Sequence, residues 1–203
     1  MCCLLILAIN PGSTSTKVAL YSNDELVESE TIDHPIEVIK EYKELIDQLP
    51  YRLKLVEQFI KDMNISESLS AVVGRGGMLK SLPSGTYEVN DKMQNHLEVG
   101  ISGIHASNLG GLIAQRIAEK HNCKAMVVDP VAVDEMQEEA RISGLPQIER
   151  KSMSHALNIK AVCHRYANEQ VVDLKNLKLI VAHLGGGISI APILDGRIID
   201  VNN

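Results

Sequence analysis

The sequence predicts an α/β fold that opens with three antiparallel strands and continues with alternating helices and strands. Three short apolar runs separated by turn-forming residues open the chain, over residues 4–9, 17–21 and 26–32. Stretches with apolar residues at helical spacing then alternate with buried apolar runs, which gives the order βββαβαβα. A strand, a glycine-rich turn and another strand begin again near residue 176.

A hydroxyl-rich turn joins the first two predicted strands. A plain hairpin needs only one or two turn formers, whereas AINPGSTSTKVAL has Gly12, then Ser13 to Thr16, then Lys17. Hydroxyls, backbone N–H groups beside a glycine and one ammonium group are donors that suit an oxyanion. The alternative is a hydroxyl-capped hairpin that binds nothing.

The middle of the chain predicts helices that alternate with buried strands. The stretch from Ile36 to Asn64 has helical periodicity, and Pro50 divides it into two helices or one interrupted helix. Strands are predicted at LSAVV and CKAMVV, with GTYEVND as an edge strand. Further helices are predicted at HASNLGGLIAQRIAEKHN and SMSHALNIKAVCHRYANE.

The last part of the chain repeats the design of the first. When His183 is aligned with Asn10, Gly12 falls on Gly185. We therefore predict a duplicated fold, with residues 1–175 as one domain and residues 176–203 as the first strands of an incomplete second one. The alternatives are that these strands fold back onto the first domain and that HLGGGIS is a glycine-rich bulge.

The two loops are more informative as a pair than singly. Glycines and small residues let backbone N–H groups converge on an anion. Two such turns on related halves would face each other across a cleft and suit a nucleotide polyphosphate. The first loop is not a P-loop, because no second glycine precedes Lys17, and the chain contains no G-x-G-x-x-G fingerprint.

Composition argues against several other classes. A net charge of −6, one Phe and no Trp argue against a nucleic-acid partner. No apolar run approaches the ~18 residues that span a bilayer. The cysteines lack Cys-x-x-Cys spacing, so we expect reduced thiols of a cytoplasmic protein rather than disulfides or zinc ligands; they are Cys2, Cys3, Cys123 and Cys163.

Several separated motifs carry a family resemblance that runs from about residue 4 to residue 203. LAINPGSTSTKVALY and IVAHLGGGISIAPILDGRIIDVNN resemble the two phosphate motifs of the acetate and sugar kinase, heat-shock chaperone and actin superfamily. NPGSTSTK, GRGGMLKSLPSGTYEVN and VVDPVAVDEM are similar to its acyl-kinase branch, most of all to the butyrate-kinase type. The resemblance implies a ribonuclease-H-like domain, the first half of an actin-like kinase fold.

The same resemblance implies an activity, its cofactors and its partners. The family transfers the γ-phosphoryl group of ATP, as its Mg²⁺ complex, to a short-chain carboxylate. The expected reaction is butyrate and ATP to butyryl phosphate and ADP, reversibly, in a homo-oligomer. Related kinases acting on acetate, propionate, a branched acid or a sugar are alternatives. An inactive nucleotide-binding fragment is another, because the family's later phosphate-site arginine, metal-site glutamate and adenosine motif are absent from these 203 residues.

Site residues follow from the resemblance, position by position. Arg75 matches the arginine that holds the substrate carboxylate, a task that suits a planar guanidinium. The glycines beside it, including Gly77, would leave room for an acyl chain longer than acetate. Asp129 matches the acid near Mg²⁺. The resemblance implies a catalytic role for His155, with the family's more structural histidine as the alternative match, and it implies that His105 lies near the cleft or caps a helix. The residues expected to bind phosphate or ATP are Asn10, Ser13, Ser15, Lys17, His183, Gly185, Gly186, Gly187 and Ser189.

Overall fold

The computed structural model describes residues 4–65 and 69–202. The chain divides into two compact units, one formed by Met1–Leu79 with Thr86–Val128 and the other by Lys80–Gly85 with Asp129–Asn203. The predicted boundary after residue 175 concerns the halves of a duplicated fold, and it stays a prediction.

A mixed sheet forms the centre of the first unit. Its strands are β1 (Leu5–Pro11), β2 (Ser15–Ser22), β3 (Glu25–Asp33), β4 (Ala71–Arg75), β5 (Thr86–Glu88) and β6 (Lys124–Val128). The order across this sheet is β3-β2-β1-β4-β6-β5. The first three strands pair antiparallel, β4 and β6 run parallel to β1, and β5 pairs antiparallel with β6 at the edge. The predicted opening strands, the strands at LSAVV and CKAMVV and the edge strand at GTYEVND are therefore confirmed.

Helices α1 (Ile36–Ile39), α2 (Leu49–Asp62), α3 (Asp91–Glu98) and α4 (Asn108–His121) belong to the same unit. Pro50 lies in the first turn of α2, where its missing N–H leaves no hydrogen bond unmade, so it begins a helix rather than interrupting one. Helix α3 was not predicted. Its signal in the sequence is Asn90, whose side chain caps the helix by accepting from the N–H of Met93 at 2.9 Å.

Glycines let α4 approach the sheet closely. A Cβ on Gly74 would lie 2.1 Å from the carbonyl oxygen of Gly110, and one on Gly110 would lie 2.3 Å from that of Arg75. Neither position has space for a larger residue. The beginning of α4 is therefore held against the end of β4, beside Arg75. The core around this contact includes Leu7, Ile9, Val72, Leu109, Ile113 and Val127.

The second unit contains a three-stranded antiparallel sheet and one long helix. Its elements are α5 (Ala156–Gln170), β7 (Lys178–Leu184), β8 (Ile188–Leu194) and β9 (Arg197–Ile198), with sheet order β7-β8-β9. Their buried face shares one core with α5, including Val133, Ile159, Cys163, Ala191 and Ile193. Every second side chain of β7 is exposed on the other face of the sheet, and Ile180 and Leu184 are among these exposed side chains.

A buried ion pair joins the sheet of the second unit to its helix. Lys160 Nζ lies 2.7 Å from Glu135 Oε2, and both side chains are almost fully buried. Lys160 also donates to the carbonyl oxygen of Gly196 at 2.7 Å, while Glu135 accepts from the N–H of Ile198 at 2.9 Å. Because both charged groups also form a hydrogen bond with a backbone group, the pair fixes the β8–β9 turn against α5.

In the described part of the chain, no helix is long and apolar enough to cross a membrane. Cys123 and Cys163 are free thiols, and burial raises the pKa of each. Cys2 and Cys3 lie outside the described residues.

Candidate functional site

The hydroxyl-rich turn between β1 and β2 is tighter than the sequence predicts. Strand β2 begins at Ser15, so only residues 12–14 lie between the strands, and the N–H of Gly12 donates to the carbonyl oxygen of Ser15 at 2.7 Å. Asn10 and Lys17 are cross-strand partners beside this turn. Ser13 and Lys17 are exposed and Ser15 is half-buried. All the residues that the sequence predicts for the first loop therefore lie together at one end of the hairpin.

A buried arginine beneath this turn was not predicted. Arg52, on α2, is 0 % exposed. Its guanidinium donates to the carbonyl oxygens of Gly12 at 2.8 Å and Ser13 at 3.2 Å. The signal in the sequence was its place on the apolar face of the helix, four residues before buried Val56 and seven before buried Phe59. An arginine at such a position needs internal acceptors, and here the loop backbone supplies them.

His34 lies beside this arginine and is also buried. Its Nε2 lies 2.8 Å from Thr16 Oγ1, and its ring meets that of Tyr51 edge to face with centroids 5.4 Å apart. Burial first, and then the positive charge of Arg52, lowers the pKa of His34 to about 4, against a smaller opposing effect of Asp33. His34 is therefore neutral at pH 7, whereas Arg52 beside it is charged.

Arg75 ends β4 and contacts the first loop region. Its Nη1 donates to Asn10 Oδ1 at 3.2 Å. His105 lies close enough for Arg75 to lower its pKa, although burial is the larger cause, and its Nδ1 lies 2.7 Å from Ser107 Oγ. A half-buried guanidinium, an amide and an imidazole held in its neutral form thus share one side of the first unit. Such a group can bind a small carboxylate.

The space predicted beside Arg75 for an acyl chain is not at Gly77. A Cβ on Gly77 would lie 2.3 Å from Asn108 Oδ1 and 2.5 Å from its Cα. The Asn108 side chain is buried there, accepting from the N–H of Met78 at 2.9 Å and donating to the carbonyl oxygen of Gly103 at 3.0 Å. Gly77 is therefore required by packing, and no space for an acyl chain lies at its Cβ position.

Asp129 follows β6 with an uncommon backbone conformation. Its φ is +38°, a left-handed value that costs energy in any residue but glycine. One carboxylate oxygen, Oδ1, accepts from Ser84 Oγ at 2.7 Å and from the N–H of Gly85 at 2.8 Å. The other oxygen makes no hydrogen bond in the described part of the chain. Asp129 is thus held by one oxygen and leaves the other available.

This arrangement fits Mg²⁺ better than a metal held by protein ligands alone. The described residues contain no group of three or more His, Cys, Asp or Glu side chains that could hold a metal. Mg²⁺ usually takes one or two carboxylates and completes its shell with water and phosphate oxygens. One available oxygen on Asp129 meets that requirement.

The second predicted loop lies at the β7–β8 hairpin, and two histidines stack beside it. The rings of His155 and His183 are parallel, with centroids 3.9 Å apart. His155 Nδ1 lies 2.9 Å from Ser189 Oγ, which is buried, and His183 Nδ1 lies 3.0 Å from Asn158 Oδ1. The three glycines of the turn, Gly185, Gly186 and Gly187, are exposed. Asn158 was not among the predicted residues.

Comparison with known proteins identifies relatives of the chain. No family model matches it. Over 199 residues, 98% of the chain, it is 52% identical to "Probable butyrate kinase 2" of Caldanaerobacter subterraneus subsp. tengcongensis. Over the same length it is 50% identical to "Butyrate kinase 2" of Clostridium acetobutylicum. The chain is a butyrate kinase homologue. It spans 56% of the length of these two relatives and corresponds to their N-terminal part.

Solved structures give the fold of this butyrate kinase homologue. The acetate kinase of Porphyromonas gingivalis has a TM-score of 0.70 at 19% identity, over 98% of this chain and 57% of that one. A propionate kinase from Francisella tularensis has a TM-score of 0.64 at 18% identity, over 98% and 56% of the two chains. The homologue therefore has the α/β fold of an actin-like half domain, as predicted.

Proposed function

We propose that the protein containing this chain transfers the γ-phosphoryl group of MgATP reversibly to a short-chain carboxylate, with butyrate as acceptor. The observation that carries the proposal is the hydrogen bond from Arg75 Nη1 to Asn10 Oδ1, at 3.2 Å. It joins a cation suited to a carboxylate to the loop suited to a phosphate. The names of the relatives, which are butyrate kinases at about half identity, point to the same acceptor.

The acceptor side of this reaction needs orientation more than acid–base chemistry. A carboxylate is already ionised at pH 7, so no general base is required. Arg75 can bind it through two parallel N–H donors, and the amide of Asn10 holds the guanidinium in place. His105 stays neutral because its pKa is lowered, so it adds a hydrogen-bonding group without a second charge.

The transferred group would lie at the first loop. A carboxylate oxygen attacks the γ-phosphorus, the bond from that phosphorus to the β–γ bridging oxygen breaks, and ADP leaves with the electron pair. Transfer of this kind depends on positioning and on neutralising the charge of the moving group. The hydroxyls of Ser13 and Ser15, the ammonium of Lys17 and the free N–H groups of the turn supply those donors.

The metal would be held by Asp129 through its available oxygen. When bound with the nucleotide, Mg²⁺ neutralises phosphate charge. The contribution of the chain is to hold the carboxylate still, which Ser84 and Gly85 do by donating to its other oxygen. Asp129→Asn should therefore raise the Mg²⁺ concentration needed for half-maximal rate, while Ser84→Ala should raise it less.

The second loop would bind phosphates of ATP. Exposed glycines at a hairpin can present backbone N–H groups to an anion. Here the N–H of Gly185 donates to the carbonyl oxygen of Gly187 at 3.1 Å, so Gly186 and Gly187 would be the glycines that contact the phosphates. His183 is held by Asn158, and His155 is held by the buried hydroxyl of Ser189. We assign His155 to positioning His183 through their stacked rings.

One experiment on a single sample tests the proposal. The purified protein is weighed by intact mass spectrometry, and acyl phosphate formed with MgATP is trapped with hydroxylamine. Butyrate, acetate, propionate, isobutyrate and a sugar are compared as acceptors. We expect butyrate-dependent hydroxamate that is lost in Arg75→Gln and retained in Arg116→Gln, an exposed arginine on α4.

Other outcomes would replace the proposal. A higher rate with another acid would assign the protein to a different acyl kinase. ATP binding without acceptor-dependent turnover would favour a nucleotide-binding module. A mass of 22.2 kDa without turnover would show that these residues alone do not form the active enzyme.

A further inference from the structure

Among the described residues, the buried charge of Arg52 has no anionic partner. In the part of the chain that the structure describes, its guanidinium forms no ion pair, and every acceptor it contacts is neutral. Besides the loop carbonyl groups, these are Thr16 Oγ1 at 3.2 Å and Gln48 Oε1, which lies 3.1 Å from Nε and 2.9 Å from Nη2. Buried charges are usually paired, so an unpaired one beneath an exposed loop needs an explanation.

The backbone carbonyl oxygens of the first loop, from Gly12 to Ser15, all accept hydrogen bonds from other parts of the first unit. Arg52 takes those of Gly12 and Ser13, at 2.8 and 3.2 Å. The N–H of His34 donates to that of Thr14 at 2.8 Å. The carbonyl of Ser15 accepts from the N–H of Gly12 at 2.7 Å and from Arg52 at 3.4 Å. The negative ends of four successive peptide dipoles are therefore occupied by donors.

Two N–H groups of the same turn have no acceptor among the described residues. In the described part of the chain, those of Ser13 and Thr14 donate no hydrogen bond, and both residues are exposed. An anion that approaches the loop would therefore meet two adjacent free N–H groups and nearby hydroxyls, with the carbonyl oxygens turned to other partners. Successive N–H groups of this kind form an anion-binding concavity.

We propose that Arg52 is a positioning residue for anion binding by the first loop. It holds the Gly12 and Ser13 carbonyl groups inward, and its buried charge is compensated when a phosphoryl group occupies the loop. Gln48 fixes the plane of the guanidinium from the adjoining helix turn. The identity of the anion as a phosphoryl group of ATP rests on the function proposed above.

Lysine could not reproduce this arrangement. A guanidinium presents five donors in a fixed plane, and Arg52 uses them on acceptors in the loop, in β2 and at Gln48. An ammonium would keep the charge but reach fewer of these acceptors. Charge and geometry can therefore be separated by substitution.

The test compares Arg52→Gln and Arg52→Lys with Lys54→Gln, which removes an exposed charge from the same helix. In the protein as encoded, we expect Arg52→Gln to raise the KM for ATP about tenfold, equal to about 1.4 kcal/mol, and to leave the butyrate KM within about twofold. Arg52→Lys should restore part of the ATP affinity. Lys54→Gln should match the unsubstituted protein.

A second measurement does not depend on turnover. Inorganic pyrophosphate should raise the Tm of the unsubstituted protein and of Lys54→Gln, and raise that of Arg52→Lys less. If no acceptor is phosphorylated but this pattern holds, the proposed function fails and the role of Arg52 stands. If Arg52→Gln does not fold, Arg52→Lys carries both measurements.

The inference is overturned by a folded Arg52→Lys protein whose ATP KM and pyrophosphate-induced Tm shift equal those of the unsubstituted protein. It is also overturned if Arg52 variants lose stability and kcat while both KM values stay unchanged, because that pattern indicates a purely structural arginine.

Discussion

The imidazole rings of His155 and His183 stack in the second unit, with centroids 3.9 Å apart and planes inclined by 11°. Each ring is also held by a hydrogen bond, His155 to Ser189 and His183 to Asn158. The stack thus joins the start of α5 to strands β7 and β8. The glycine-rich turn between those strands lies directly against it, since a Cβ on Gly187 would approach His155 Cε1 to 2.8 Å.

Gly187→Ala should therefore destabilise the second unit. The added methyl group forces the His155 ring to move and weakens its hydrogen bond to Ser189, a cost of about 1 kcal/mol. Urea unfolding measures it. Gly186→Ala is the matched control, because a Cβ there meets nothing within 4 Å. Equal losses in the two variants would show that the turn backbone, and not the ring, sets the requirement for glycine.

Stability should fall as the pH falls from about 6.5 to about 4, because of His34. Its pKa is about 4 in the folded protein, mainly through burial and then through Arg52, against 6.5 when unfolded. In that window the unfolded chain binds more protons, so acid favours unfolding, by up to about 3 kcal/mol. Above pH 6.5 the contribution is fully present. Urea midpoints measured across this range at constant ionic strength test the expectation.

The variant His34→Gln separates this titration from that of other groups. Its stability should depend less steeply on pH than that of the unsubstituted protein between about pH 6.5 and about pH 4. His105, whose pKa is also lowered, stays in both proteins and cancels in the comparison. If the two plots of unfolding free energy against pH run parallel, His34 is not the group that titrates.

Asn10→Asp should weaken binding of the carboxylate more than Asn10→Ala does. The new carboxylate would lie within reach of Arg75 Nη1, which is 3.2 Å from the amide oxygen in the present structure. It would compete with the substrate for the guanidinium, raising the butyrate KM about tenfold. Asn10→Ala removes the orienting hydrogen bond without adding charge. A smaller increase in the Asp variant than in the Ala variant would contradict the role given to Arg75.

Gly77→Ala should lower stability without changing the preferred acid. A Cβ there would clash with Asn108 Oδ1 at 2.3 Å and with backbone atoms that cannot yield, a cost of about 1–3 kcal/mol. Gly144→Ala, at a position with nothing within 4 Å, is the control. The ratio of butyrate to acetate kcat/KM, measured on the folded fraction, should stay constant. A shift toward acetate would restore the idea that Gly77 lines the acyl pocket.

Local patterns were sufficient for much of this fold. Alternating apolar runs predicted β1 to β3, and the buried runs before Arg75 and Asp129 predicted β4 and β6, because burial on both faces leaves a continuous apolar signal. Helix α3 was missed because it is short and mostly polar, so only the Asn90 cap marks it. Pro50 was ambiguous because proline both breaks helices and begins them.

The candidate site also contains residues that local sequence patterns predicted and residues that they missed. Motifs predicted residues for binding phosphate and carboxylate, from Asn10 and Arg75 to His183, because such chemistry needs particular side chains at particular places in the chain; their roles stay predictions. The motifs did not predict that Arg52, Asn108 and Ser189 are buried and hold other parts of the protein through hydrogen bonds. Each is buried, and its importance comes from acceptors, donors or rings that lie far away in sequence.

Chemistry carried by contiguous residues could therefore be inferred from the order of amino acids: the strands, the two loops, the cation after β4 and the acid after β6. Packing decided the rest. Whether Gly77 leaves a cavity, and what lies beneath Gly12, depends on which distant side chain fills the space, and close-packed interiors allow only one answer. That answer requires the three-dimensional neighbours of each residue, which a linear pattern does not contain.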